Sequence, residues 1–594
     1  MSFPSIALKS IQNKATAKSF ERGDQYYRSG SVEQVIQRGM VLQAMVEGSE
    51  PEAYQVTIPF DAGGVTSARC NCAYSFDGWC KHIVATLLVS SKHPEQIEVR
   101  PSLDKLLDRL DLNQTRQIIC KLLADRPELV EALDFQVNSL ITIAAIVGSS
   151  KGSSKKVRQT SIDSEIYRRQ VRRVLQDAVR DWENGREDDS ILDDLGEVVE
   201  KAEAFSEAGD GESAIAILEG ITQGCVDQWD EVDEYGADSN SVVEMLDQAW
   251  AEAILTVDLT AEWQTELRSK LESWQQEWGC DFPISMAALQ QAWSYGPLVQ
   301  VLKGEMTEFG AWDSEPPAFR DPLALVRLTI LNRQERFQEY LYLAKAEGQL
   351  LQYWSMLVKV GRIEDAVNSA QVEMTSAEDA YALAKLLRTL GAIEQALEIA
   401  HLGLKFPVNR YSDFMQWTSD LAEGLNKPEF ALEARVLAFH TGPSFSDYLK
   451  IQELSGVGWL ELRQDLFKTL DQVPDWSYKD IDTSVDIFLY EGLFDRAIGV
   501  VKKLTSYSYL SIQQVMDAVL SYSPDWVIET ACHYAEDIMN SGKAIAYDQA
   551  VSWLQRAKAS YEATGRQTEW TKYYQNLTQV HSRKRKLIGL LKTL

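Results

Sequence analysis

Three cysteines and a histidine, Cys70, Cys72, Cys80 and His82, crowd one short stretch of a 594-residue chain that holds seven cysteines and six histidines in all. The stretch runs Arg69-Cys-Asn-Cys-Ala-Tyr-Ser-Phe-Asp-Gly-Trp-Cys-Lys-His82, which is C-x-C, seven residues, then C-x-H. Three thiolates and one imidazole complete a tetrahedral zinc set, with Zn–S near about 2.3 Å and Zn–N near about 2.0 Å. Protein atoms then fill every position, so the ion is expected to hold the fold and to leave no place for an activated water. Seven cysteines are too few and too unevenly spread for a disulfide framework, and clustering of this kind points to metal.

The spacing has a mechanical reason. In an extended backbone residues i and i+2 project to the same side, so Cys70 and Cys72 can face one ion. Asp77-Gly78 offers a turn that brings the chain back, and Cys80 and His82 stand at the entrance of a helix that starts near Lys81. Tyr74, Phe76 and Trp79 lie in the intervening loop, where they either shield the thiolates from water or are exposed for recognition; shielding is the preferred reading.

No second constellation of this quality exists. Cys120 sits among Ile118, Ile119, Leu122 and Leu123 and reads as core; Cys225, Cys280 and Cys532 read as structural too, and adjacent Cys532 and His533 point apart on a helix. His93, His401, His440 and His581 lack an acid or nucleophile at a recognisable spacing, and no G-x-x-x-x-G-K-[ST] phosphate loop is present. The expectation is a non-enzyme that takes no small-molecule substrate.

The elements that must position the ligands are short. Val32–Ile36, Met40–Val46 and Tyr54–Phe60 alternate with the turns at Arg38-Gly39, Gly48 to Pro51 and Gly63-Gly64, which predicts a small antiparallel sheet. A helix is expected over Ile11–Tyr27, and after the ligands Ile83, Val84, Leu87 and Leu88 recur at helical spacing and mark one buried face. This arrangement of strands, C-x-C-x7-C-x-H and helix resembles the SWIM zinc finger of bacterial Swi/Snf-type ATPases, plant transposases and some ubiquitin ligases. The resemblance covers about Ser31 to Ser91 and implies a zinc-stabilised module that binds DNA or protein, with Cys70, Cys72, Cys80 and His82 as its ligands.

Beyond Pro101 the strand signal fades, and Leu106, Leu107, Leu110, Ile118, Ile119, Leu122 and Leu123 set a helical rhythm to about Ile146. Gly148 to Lys156 is rich in Gly and Ser and reads as a flexible basic linker. From Tyr167 onward the chain reads as helical. A Gly followed five residues later by Ala recurs at Gly209/Ala214, Gly361/Ala366, Gly391/Ala396 and Gly492/Ala497, with Asn426/Ala431 as a related turn. In such a turn Gly ends one helix and the small Ala lets the next approach its neighbour, a pattern that resembles tetratricopeptide repeats. The expected fold class is mainly α: an α+β finger module over 1–95, a helical segment over 96–146, a basic linker over 147–164 and a solenoid-like helical repeat region over 165–594.

Charge bounds the partners. The chain carries a net charge of -29, so as a whole it repels phosphate backbones. Residues 1–100, with ten basic and ten acidic side chains, are exempt. Two basic stretches could touch phosphate or be solvated faces: Lys151 to Arg173, with Lys155, Lys156, Arg158, Arg168, Arg169 and Arg172 between them, and Arg583-Lys-Arg-Lys586. No stretch approaches about 18 uninterrupted apolar residues, and the start shows no signal-peptide core, so a cytoplasmic location away from membranes is expected. Two functions stay open: a nucleic-acid-associated or DNA-binding accessory factor in which Arg69 and Lys81 flank the zinc, beside a separate Swi/Snf-type ATPase, or a protein-interaction scaffold built on the helical repeats.

Overall fold

The structure, a computed structural model, describes residues 3, 8–48, 50, 53–74, 78–126, 162–184, 191–305, 307–407, 412–471, 478–503 and 509–594. The expected linker, with Lys151, Lys155, Lys156 and Arg158, lies outside the described residues, as do Phe76, Asp77 and the helical rhythm past residue 126. The chain divides into two compact units, Met1–Arg100 together with Ala400–Leu594, and Pro101–Ile399.

The N-terminal module begins with two helices, α1 (Leu8–Asn13) and α2 (Ala17–Arg28), where the sequence suggested one. The break falls at Lys14 to Thr16 because the Thr16 hydroxyl accepts the Ser19 amide at 3.1 Å and so starts a new helix. Strands β1 (Val32–Arg38), β2 (Val41–Val46), β3 (Tyr54–Asp61), β4 (Gly64–Val65) and β5 (Arg69–Cys70) follow, then α3 (Lys81–Lys92) and β6 (Ile97–Arg100). The sheet order is β4-β3-β2-β1-β6, with β5 also paired to β3.

The pairs among β1 to β5 are antiparallel, as their alternation suggested. Val56, Ile58 and Phe60 of β3 and Leu42, Ala44 and Val46 of β2 all turn inward and are buried. Strand β6 was not legible: Ile97-Glu-Val-Arg100 is four residues long and runs parallel to β1, with Val35 opposite Ile97. A parallel partner needs a crossover, and α3 supplies it.

Helix α3 departs from the one-faced burial that its spacing suggested. His82, Ile83, Val84, Ala85, Thr86, Leu87, Leu88, Val89 and Ser90 are all buried. One side packs on the sheet and another on α2, whose Gly23 lies so close that a Cβ there would sit 2.4 Å from Val84 Cγ1. Two hydroxyls of this buried helix are satisfied within it: Thr86 Oγ1 donates to His82 O at 2.9 Å and Ser90 Oγ to Thr86 O at 2.8 Å.

Among the described residues the elements after β6 are helices, in keeping with a mainly α fold. The anticipated turns share one geometry. Gly209, Gly361, Gly391, Asn426 and Gly492 all have positive φ, between 56° and 84°, and Ala214, Ala366, Ala396, Ala431 and Ala497 are each 0% exposed. In every copy the next residue's amide bonds the carbonyl five residues earlier, as in Arg362 N–H to Leu357 O at 2.8 Å and Ala392 N–H to Leu387 O at 2.9 Å. That bond is the closing link of a Schellman cap. Three further copies carry an aromatic residue where the others have Ala: Glu335/Tyr340, Gly348/Tyr353 and Gly565/Trp570, closed by Arg336 to Leu331, Gln349 to Ala344 and Arg566 to Tyr561 at 2.8 to 2.9 Å.

In the unit Pro101–Ile399 the apolar core runs from Val171 and Leu175 through Trp250 and Trp274 to Ile330. Asp247, buried in it, caps a helix from another segment: its carboxylate accepts the amides of Ile284 at 2.9 Å and Ser285 at 2.7 Å, at the start of the helix Pro283–Gln291. Cys120 is exposed, not core as its apolar neighbours suggested, because Ile118 and Ile119 beside it are exposed as well. Among the described residues no helix is long and apolar enough to cross a membrane.

Candidate metal centre

Three different devices deliver the four ligands. Cys70 is fixed by strand pairing, since β5 sets it opposite Val56. Strand β5 stops at Cys70, so Cys72 is carried by a bend and not by continued extended chain. Asn71 secures that bend: its amide donates to Gln55 O at 3.3 Å and its side-chain oxygen accepts the Gln55 amide at 2.9 Å. Cys80 is the N-cap residue of α3, and His82 lies in the first turn.

These devices bring Cys70, Cys72, Cys80 and His82 together, with their ligand atoms all within 4.8 Å of one another. Thiolates on one tetrahedral zinc stand roughly 3.8 Å apart by geometry, so the cluster has the dimensions for an ion at its centre. Cys80 and His82 are buried and Cys70 and Cys72 half-buried, which limits solvent access. Cys70 Sγ lies 3.5 Å from His82 Nδ1, so Nδ1 is the imidazole nitrogen turned to the sulfurs. The ring is held from both sides: Tyr54 stacks on it at 4.1 Å between centroids and Tyr26 meets it edge-on at 5.4 Å.

Hydrogen bonds and burial push the three thiols in different directions. The Cys80 thiol is driven down to about 4, chiefly because it accepts a hydrogen bond from Cys70, with His82 and the Ile83 amide adding to the effect against burial. Cys70 is driven up by holding that proton and by burial, and Cys72 is raised by burial. Backbone amides of Cys72 and Tyr74 oppose these rises at Cys70 and Cys72 respectively. Three crowded thiols cannot all ionise in a half-buried pocket without a positive charge among them. A divalent zinc would supply that charge, and the soft donor set suits it.

The other predicted residues fall elsewhere. Tyr74 and Trp79 are half-buried and pack on the module's core, Tyr74 through a hydroxyl that accepts from Ser19 Oγ at 3.1 Å. Lys81 turns to Tyr26, donating to its hydroxyl at 2.9 Å, while Arg69 is exposed. Of the first basic stretch, Arg168 and Arg172 pair with Asp227, and Arg173 with Asp177. In the second, Lys584 donates to Met539 O and Lys586 to Ala544 O, so both lysines tie helix ends together. His93, His401 and His440 do have carboxylate neighbours, Glu95, Glu433 and Asp465, of which the last two come from other helices that spacing could not reveal. The tyrosines around His82 were missed for the same reason.

A strand Cys, a Cys on the bend after it, a helix-cap Cys and a first-turn His in a sheet-and-helix module form a Cys3His set that fits a zinc finger. No family model matches the chain. It is 28% identical over 182 residues to the Zinc finger SWIM domain-containing protein 8 homolog of Drosophila melanogaster, covering 29% of this chain and 9% of that protein. It is also 28% identical over 168 residues to Zinc finger SWIM domain-containing protein 8 of Bos taurus and of Homo sapiens, covering 26% of this chain and 12% and 9% of theirs. The chain thus matches only a small part of the length of these relatives.

Proposed function

We propose that the chain is a non-catalytic zinc protein acting as an interaction scaffold, in which a zinc-held SWIM-type finger and an array of tetratricopeptide-like helix hairpins bind a basic protein partner. The observation that carries this reading is the burial of α3. A finger that reads DNA inserts a helix into the major groove, whereas His82 to Ser90 are buried without a break. The helical region offers the larger surface. Between Ile191 and Asp281, 24 Asp or Glu stand against three Lys or Arg, a field that attracts cations and repels phosphate. The zinc is structural, held by Cys70, Cys72, Cys80 and His82, and the fold it holds is what the finger presents.

The experiment is affinity purification of the intact chain beside a variant with exposed Asp230, Glu231, Asp233 and Glu234 changed to Asn or Gln. The scaffold reading expects a basic protein recovered with the first and depleted with the second. The nucleic-acid reading keeps one observation of its own, exposed Arg69 beside the ligands in a charge-balanced module. Anisotropy titration of the intact chain with DNA and RNA separates the two: binding that persists at physiological salt replaces the scaffold reading.

A further inference from the structure

The metal loop reaches beyond the finger. Lys14 stands in the break between α1 and α2, and its carbonyl accepts the Trp79 amide at 2.6 Å, one residue before the ligand Cys80. Gly78 (φ 85°) packs so tightly there that a Cβ would meet Lys14 O at 2.8 Å, and the Lys14 ammonium lies 5.7 Å from the Trp79 ring centroid. The Lys14 backbone is thus clasped by the segment that zinc anchors. Its side chain leaves the finger and pairs with Asp420 at 2.6 Å.

Asp420 belongs to the helix Ser412–Gly424 and pairs also with Arg435 at 2.6 Å, which in turn reaches buried Asp447 at 2.9 Å. Burial pushes the Asp420 carboxyl up, but Lys14 and Arg435 together hold it below its ordinary value. A second contact is independent of charge. Gly63, at the β3–β4 turn, lies against Gly424, where a Cβ would fall 2.2 Å from the Gly63 oxygen. Backbone cannot yield to such an overlap, so this approach requires glycine at 424.

We infer that the finger has an intramolecular docking surface, Lys14 and Gly63, whose occupant is the chain's own helix Ser412–Gly424, and that zinc loading governs whether the finger is seated there. The ion fixes Cys80, Cys80 fixes Trp79, and Trp79 fixes the backbone from which Lys14 reaches Asp420. Lys14 is exposed, and an ion pair made from an unanchored exposed side chain contributes little, so losing the anchor releases the contact. The inference rests on the metal reading above, and its test separates the two.

Hydrogen exchange on the full chain, with zinc content measured in parallel, reads the docking. Chelation should raise exchange several-fold at the Gly424 end of the helix and at Gly63-Gly64, together with the ligand loop. Gly424→Ala should raise exchange at the same two segments with zinc retained. Lys14→Asp, which sets a carboxylate against Asp420, should do likewise with zinc retained. A zinc-loaded chain whose Ser412–Gly424 segment ignores chelation, or ignores Gly424→Ala, overturns the docking inference and leaves the metal reading intact. A chain that holds no zinc overturns both.

Discussion

His82 shows how far a single ligand depends on its surroundings. Its ring is fixed between Tyr54 and Tyr26 and turned so that Nδ1 meets the sulfurs. Partners that orient a metal ligand are typically worth about 10- to 100-fold in metal affinity. Tyr54→Ala is therefore expected to weaken zinc binding about tenfold, measured by competition with a chromophoric chelator, and unchanged affinity would show the ring position to be set elsewhere. Asp247 is the comparable residue in the other unit, since it caps a helix that its own segment does not contain. Asp247→Ala leaves two amides buried without acceptors and is expected to cost about 2 kcal/mol in urea unfolding. The ligand set was legible because all four residues lie within one local stretch, where spacing carries geometry. The tyrosines and Asp247 act across long sequence distances, and no periodicity links them to what they hold.

At the scale of the element, the repeated turn is a backbone device before it is a residue pattern. Gly361 and Gly391 could be read because Gly and a following Ala recur, yet Glu335 adopts the same positive φ with no such label. A left-handed residue other than Gly costs roughly 1 kcal/mol, which gives opposite expectations at two copies of one turn. Gly391→Ala should lower stability by about 1 kcal/mol and Glu335→Gly should raise it by up to about the same amount, both from chemical denaturation. Ala396, 0% exposed, sets the helix approach, so Ala396→Leu should cost roughly 2 kcal/mol by overpacking. Helix α3 marks the converse limit. Ile83, Val84, Leu87 and Leu88 suggested one buried face, but Ala85, Thr86 and Ser90 are small enough to be buried on the others, and small residues leave no periodic signal.

At the scale of the whole molecule, the mainly α fold with a small sheet module followed from hydrophobic period and turn residues. Strand β6 did not, because four residues paired in parallel to β1 carry too little alternation to register. If the proposed basic partner binds the acidic stretch Ile191 to Asp281, its binding depends on salt. Association with a basic protein should slow steeply between low and physiological ionic strength, read as on-rate by stopped flow, while the dissociation rate changes less. Cys70, Cys72, Cys80 and His82 are the residues on which the proposed zinc-held fold depends. Elemental analysis of the purified chain beside a Cys72→Ser, Cys80→Ser variant, with thermal unfolding of both, tests them most directly. About one zinc per chain, lost in the variant together with the folding of the N-terminal module, is the expected result. A chain without zinc, or a variant that keeps its metal, would contradict the site.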